Sequence, residues 1–129
     1  MRNLKNVGYI SRASMQDFKW CFDYSAIFMV WCAGYLGHQD LVNFLKKAKA
    51  HLATYKGRVS RNTEPQAFIF LLDNVLELDE EPVVAKSQLV RTEQQLEEIF
   101  SEAGLLIFKR SERQTMPKDY RDIRVWALY

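Results

Sequence analysis

Residues 24–36, YSAIFMVWCAGYL, restrict the fold of this chain more than any other stretch. Their first half is apolar at successive positions, so a strand over residues 26–31 presents apolar side chains on both faces and calls for cover on both. Continuous runs of this kind suit central parallel strands of an α/β sheet, with a short buried helix as the alternative the pattern leaves open. Cys32, Ala33, Gly34, Tyr35, Leu36 and Gly37 then bring two glycines before a helical pattern begins. The order is strand, loop, helix. In open α/β sheets ligands sit outside the carboxyl ends of the strands, which makes this loop the first place to expect a site.

With 129 residues and 48% hydrophobic content, the chain supports a single domain spanning 1–129, able to bury roughly two thirds of its unfolded surface. Cys21 and Cys32 fall in no CxxC or Cys/His metal pattern, and a secreted disulfide scaffold of this length normally carries more cysteines. A reduced, intracellular protein, cytoplasmic or nuclear, is the expectation. No run approaches the roughly 20 apolar residues of a membrane span, and the first residues, with Arg2, Lys5 and Arg12, lack the apolar core of a signal peptide. No membrane partner is expected. His38 and His51 stand apart from any nucleophile or ligand set, and no metal is assigned.

The charges divide unevenly. Residues 1–63 carry ten Lys/Arg and three acids, residues 64–129 eight and thirteen, leaving the halves near +7 and −5. A basic half can serve nucleic acid. Here no aromatic or zinc motif interleaves with Lys46, Lys47, Lys49, Lys56, Arg58 or Arg61, so a solvated helix face and a basic loop are the preferred reading.

Taken in order, residues 7–11 (VGYIS) form a short candidate strand. Over residues 38–52, Leu41, Phe44, Leu45, Ala48 and Leu52 recur at helical spacing, with lysines opposite and near the carboxyl end, where cations suit the helix dipole. Residues 55–65 hold Gly57, Ser60, Asn62 and Pro65 and read as a loop. Residues 67–72 (AFIFLL) are a second continuous strand, closed by Asp73 and Asn74. Residues 76–85, acidic and broken by Pro82, read as an exposed loop or lid. Thr92, Glu93, Gln94 and Gln95 form a candidate capping box ahead of Leu96, Ile99, Phe100 and Ala103, and Gly104 is placed to stop that helix. Strands over 105–109 and 123–128 flank a polar loop containing Pro117. A mixed sheet ending in an antiparallel pair follows.

These residues together carry a resemblance. Met15-Gln16-Asp17-Phe18; residues 31–36 with Phe44-Leu45-Lys46; Asp73-Asn74; Ile99-Phe100-Ser101-Glu102-Ala103-Gly104-Leu105, then Glu112-Arg113-Gln114 and Trp126-Ala127-Leu128 resemble, in order and spacing, the carboxyl-terminal part of the α-N-terminal protein methyltransferases. The resemblance implies S-adenosylmethionine as cofactor and, as substrate, the α-amine of proteins beginning X-Pro-Lys. It implies an α/β fold: a truncated class I methyltransferase-like, Rossmann-like mixed sheet, lacking the first two strands and contributing the third through seventh.

Carried over by position, Met15, Gln16 and Asp17 would border the adenine ring, with Asp17 equally placed as an ordinary turn residue. Trp31 and Tyr35 would line the peptide groove, Tyr35 standing where the family has an imidazole and Val30 where it has an amide; a core role for Trp31 stays open. Asn74 matches a substrate-contacting asparagine that also serves catalysis, or else closes its strand. Lys86 replaces the family's catalytic aspartate. A methyl acceptor amine must be neutral and aimed, and a lysine in that place repels an ammonium instead of accepting its proton. The family's Gly-rich turn and ribose-binding acid have no counterpart in this sequence. The chain is therefore expected to be inactive alone, a truncated or degenerate family member, or else an interaction subunit that pairs through an exposed sheet edge.

Overall fold

The computed structural model describes residues 5–54, 65–77, 80–85, 87–118 and 120–129. Strand β1 (Ala26–Val30) leads through a 3-10 turn (Ala33–Tyr35) into helix α1 (His38–Ala50). Strand β2 (Phe68–Leu76) is followed by a hairpin of β3 (Val83–Ala85) and β4 (Gln88–Thr92), then helix α2 (Glu93–Glu102) and the final strands β5 (Ile107–Arg110) and β6 (Ile123–Leu128). These strands make one six-stranded mixed sheet with β2 at its centre.

The centre of the sheet explains the rest. β2 pairs antiparallel with β6 along one edge, from Ile69 opposite Leu128 to Asn74 opposite Ile123. Its other edge is shared: β1 runs parallel to it from Ala26 opposite Phe68 to Val30 opposite Leu72, and β4 takes over at Val75 and Leu76. Asp73 and Asn74 stand at the seam where β1 has left and β4 has not yet joined.

Alternation along the strands sorts their side chains. Met29, Ile69, Leu71, Val75, Trp126 and Leu128 point to the face where both helices lie, and form one core with Leu41, Leu45 and Ala48 of α1 and Leu96, Ile99 and Phe100 of α2. The rings of Phe100 and Trp126 meet edge to face at 5.5 Å. Thr92 caps α2 through the full reciprocal box with Gln95, and Gly104, at φ +75°, ends it as the sequence predicts. The Lys49 ammonium donates to the Gly104 carbonyl, tying the end of α1 to the end of α2.

Four expectations change. β1 is not covered on both faces: Met29 is buried, but Phe28 is 70% exposed and Val30 50%, because among the described residues both helices occupy one side of the sheet. β2 does not close at Asp73 but runs through Asp73 and Asn74 to Leu76, held by β6 along its length. Glu77, Glu80, Glu81 and Pro82 are exposed and outside any strand, as expected of a loop, but Leu76 ends β2 and residues 83–85 pair as a hairpin, with Val83 opposite Val90 and Ala85 opposite Gln88; short strands there carry too little periodicity to be read from sequence. Residues 7–11 form no strand, since among the described residues no neighbour lies beyond β1 to receive them. Asp79, the basic loop with Lys56, Arg58 and Arg61, and Lys86 lie outside the described residues.

Candidate functional site

The carboxyl end of β1 is where the backbone departs from regular geometry. The Trp31 N–H still donates to the Leu72 carbonyl at 3.0 Å, extending the ladder by one residue. Trp31 itself then adopts φ 50°. A bulky L-residue in the left-handed region is strained by about 1 to 3 kcal/mol, and such residues concentrate at functional sites. The indole is 46% exposed at this turn, and the Gln88 side-chain amide donates to the Trp31 carbonyl at 3.4 Å.

The turn after Trp31 is clamped from β4. Gly34 packs so closely on the hairpin that a Cβ there would lie 2.8 Å from the Leu89 carbonyl oxygen. The buried Arg91 guanidinium donates to the carbonyls of Ala33 at 3.4 Å and Leu36 at 2.6 Å. Three sequence-distant segments thus meet at the seam of β2.

Asp73 sits at that seam, on the helix side and buried. Its Oδ1 accepts the Asn74 N–H at 2.8 Å. Burial pushes its carboxyl pKa up to about 6, although the Asn74 N–H and the Arg91 charge both pull it down. The thiol of Cys32 is raised as well, by burial first and by the Asp73 charge second. In the sequence Asp73 reads as a strand-closing residue and neither Arg91 nor Cys32 carries a local signal; the continuation of β2 through Asp73 is what brings them together.

Asn74 alternates to the opposite, helix-free face, half-buried, and its side-chain amide donates to the Arg121 carbonyl at 3.0 Å. Trp31 follows the end of β1 and Asn74 lies within the neighbouring parallel strand β2, two residues beyond the partner of Val30, whereas Tyr35, 60% exposed in the 3-10 turn, lies further along the chain's departure from the sheet. Lys86 is outside the described residues and is not part of this geometry.

On the open side of β1 lies an apolar cavity of roughly 340 Å³, walled by Met15, Phe18, Trp20, Phe28, Cys32 and Phe44 among others. Trp20 anchors its floor, tilted against Phe44 at 5.3 Å and stacked on the His51 ring at 5.4 Å. Of the three residues expected on the adenine side, Met15 lines this cavity; Gln16 lines a smaller one with Leu36, Asp40 and Asn43. Asp17 turns inward on its own loop, accepting the Ser14 hydroxyl at 2.6 Å while its N–H donates to the Ser14 Oγ at 3.2 Å.

This lining tests what S-adenosylmethionine would find. Flat apolar walls suit a purine. The ribose hydroxyls and the methionine head need an acid and closely approaching backbone N–H groups, and among the described residues the cavity wall holds no acid. The residues present fit one end of the cofactor and not the whole of it.

Comparison with known proteins gives the same orientation. A family profile described as "AdoMet dependent proline di-methyltransferase" matches residues 2–129. The chain is 26% identical over 109 residues to alpha N-terminal protein methyltransferase 1 of Oryza sativa, covering 81% of this chain and 31% of the relative. With the protein of that name from Dictyostelium discoideum it shares 27% over 118 residues, 88% of this chain and 38% of the relative. It spans about a third of the length of these relatives. Among solved structures, a SAM-dependent methyltransferase of Leishmania major superposes with a TM-score of 0.73 at 25% identity, covering 91% of this chain and 43% of that one. A glycopeptide N-methyltransferase solved with S-adenosylmethionine superposes at 0.63 with 10% identity, a likeness of fold alone. By fold and by sequence along nearly its whole length, the chain belongs to the AdoMet-dependent proline di-methyltransferase family.

Proposed function

We propose that these residues form the peptide-side half of an S-adenosylmethionine-dependent methyltransferase acting on the α-amine of X-Pro-Lys protein N-termini, and that alone they transfer no methyl group. One observation carries this reading. Trp31, strained and half-exposed, follows the last residue of β1, and Asn74 lies within β2 two residues beyond Leu72, the partner of Val30, so that an extended peptide crossing this seam can lie against an indole face and meet a side-chain amide. Trp31 and Tyr35 would line the groove for the substrate peptide and Asn74 would meet its backbone. Met15, Gln16 and Asp17 keep the adenine side. The cofactor, when bound, supplies an electrophilic methyl group; the residues described here orient and desolvate the acceptor.

Inactivity in isolation rests on the partial fit to the cofactor and on Lys86 in place of an aspartate, since the acceptor amine must lose its proton before it attacks. An intracellular setting, cytoplasmic or nuclear, belongs to the same proposal and is supported by two cysteines that are both free. A second reading, an interaction subunit, is favoured by the edge of β1 away from β2, which among the described residues pairs with no strand.

Calorimetric titration of the 129-residue chain with S-adenosylmethionine, and separately with a Ser-Pro-Lys peptide, tests the proposal. We expect peptide heat and no cofactor heat. Cofactor binding at micromolar strength, about −8 kcal/mol, together with methylated peptide, would overturn the inactivity. Loss of peptide binding in Trp31→Ala and Asn74→Ala is expected, and unchanged binding in both removes the peptide-side assignment. Lys86→Asp tests the missing base once the cofactor half is supplied.

A further inference from the structure

Strand alternation alone would bury the Trp31 indole. Successive residues of a strand point to opposite faces, and Met29, two residues earlier, is 3% exposed on the helix side. Continued as a strand, the chain would send the indole to that same side. At φ 50° the backbone leaves the strand instead, and the indole is 46% exposed. The left-handed conformation and the exposure are one feature, and its strain is about 1 to 3 kcal/mol.

That strain is held from two strands at once. On one side the Trp31 N–H donates to the Leu72 carbonyl of β2 at 3.0 Å. On the other the Gln88 side-chain amide of β4 donates to the Trp31 carbonyl at 3.4 Å. With a peptide group tethered on each side of its Cα, Trp31 has the direction of its Cα–Cβ bond set by the backbone. The donor itself belongs to a hairpin with a narrow hold on the sheet: β4 pairs with β2 only through Val75–Arg91 and Leu76–Thr92, while Gln88, Leu89 and Val90 pair with β3. What steadies this part of the hairpin is the turn after Trp31. Gly34 lies against Gln88 and Leu89 with no room for a Cβ, and Arg91 donates to the Ala33 and Leu36 carbonyls. Hairpin and turn therefore form one unit, and the placement of Trp31 depends on it.

We propose that Gln88 is a positioning residue of the peptide groove: by donating to the Trp31 carbonyl it holds Trp31 in the left-handed conformation and keeps the indole presented at the seam. Without that donor Trp31 relaxes toward an extended backbone, which turns the indole toward the side of Met29. This deepens the methyltransferase reading and rests on it, because the indole serves the reaction only as a wall for the substrate peptide. Gln88 acts through Trp31.

The test labels the 129-residue chain with 5-fluorotryptophan and reads its three indoles, Trp20, Trp31 and Trp126, by fluorine NMR, the Trp31 signal being identified by its absence in Trp31→Phe. Gln88→Glu, close to glutamine in shape but without the donor, and Gln88→Met, neutral and without it, should each shift or broaden the Trp31 signal and leave in place that of Trp126, which is fully buried in the core. Calorimetric titration with the Ser-Pro-Lys peptide should show binding weakened roughly three- to tenfold in both. Gln88→Lys keeps a donor and should retain the parent signal and affinity. A Trp31 signal unmoved in Gln88→Glu and Gln88→Met overturns the proposal. So does equal movement in Gln88→Lys, which would make side-chain shape and not the bond responsible. Displacement of the Trp126 signal in both donor-free variants overturns it too, because the hairpin then supports the core and not the indole. Unchanged peptide affinity beside a displaced Trp31 signal overturns the link to the groove. A parent chain that binds no peptide, while the Trp31 signal moves in Gln88→Glu and Gln88→Met but not in Gln88→Lys, leaves the positioning of the indole standing and removes the peptide-side reading.

Discussion

The Arg91 guanidinium on β4 donates to the Leu36 carbonyl at 2.6 Å, fastening the hairpin to the turn that carries the chain from β1 into α1. A second bond from the same side chain reaches the Ala33 carbonyl. Ala33 and Leu36 are both buried, and the Ala33 carbonyl also accepts the Leu36 N–H at 3.2 Å. Arg91→Ala should destabilise the fold by about 1 to 3 kcal/mol, since the Leu36 carbonyl, in a buried turn, loses this donor. Urea denaturation monitored by tryptophan fluorescence measures this; a loss under about half a kcal/mol would show the clamp to be dispensable.

Asp73 gives the stability a distinctive pH dependence. Its carboxyl holds a proton more tightly folded than unfolded, with a pKa near 6 instead of 3.8. The sign is opposite to that of an ion-paired aspartate: its favourable contribution is complete below about pH 4 and is lost as pH rises through about 6. Asp73→Asn keeps an acceptor for the Asn74 N–H and should stabilise the protein at pH 7 by about 1 to 3 kcal/mol, with the gain vanishing near pH 4. Parallel denaturation series at pH 4, 5.5 and 7 would show the two proteins converging as the acid form takes over. A gain that is constant across the series would refute the assignment.

Gly34 is held against the hairpin by contact, not by backbone conformation. An alanine there would put its Cβ 2.8 Å from the Leu89 carbonyl oxygen and 3.2 Å from the Gln88 Cβ. Backbone on one side cannot give way cheaply, so Gly34→Ala should cost about 1 to 3 kcal/mol. Gly37→Ala meets nothing within 4 Å and serves as the control. Thermal melts of the two variants should separate.

The two cysteines should differ in reactivity. Cys32 is half-buried with its thiol pKa raised by burial and by Asp73, whereas Cys21 is exposed. Labelling with iodoacetamide at pH 7.5, followed by peptide mass analysis, should modify Cys21 at least about tenfold faster, because the thiolate is the reacting form. Asp73→Asn should narrow the gap by removing a negative charge from beside Cys32. Equal rates in the parent protein would mean that the seam opens readily to solvent.

Much of the architecture follows from periodicity and punctuation. The apolar run before Trp31, the helical spacing from Leu41 to Ala48, the Thr92 box and Gly104 each act over a few neighbours, so their consequences are written locally. They set the strands β1, β2 and β6 and both helices, and with the resemblance they set the family. What periodicity could not convey was partnership. An unbroken apolar run states that both faces want cover; it does not state that only one receives it from these residues, which left Phe28 bare. Asp73 reads as a polar stop, because a carboxylate inside a strand is costly unless something tertiary receives it. It becomes a buried, raised-pKa acid because β6 holds β2 straight through that position and burial disfavours its charge, while Arg91, arriving from β4, pulls the pKa only partly back down. Local sequence determined which segments are strands and helices, since backbone preference and face alternation are short-range. Tertiary structure alone decided which face stays open and which charges meet at the seam, since both depend on residues far apart in the chain closing on one another.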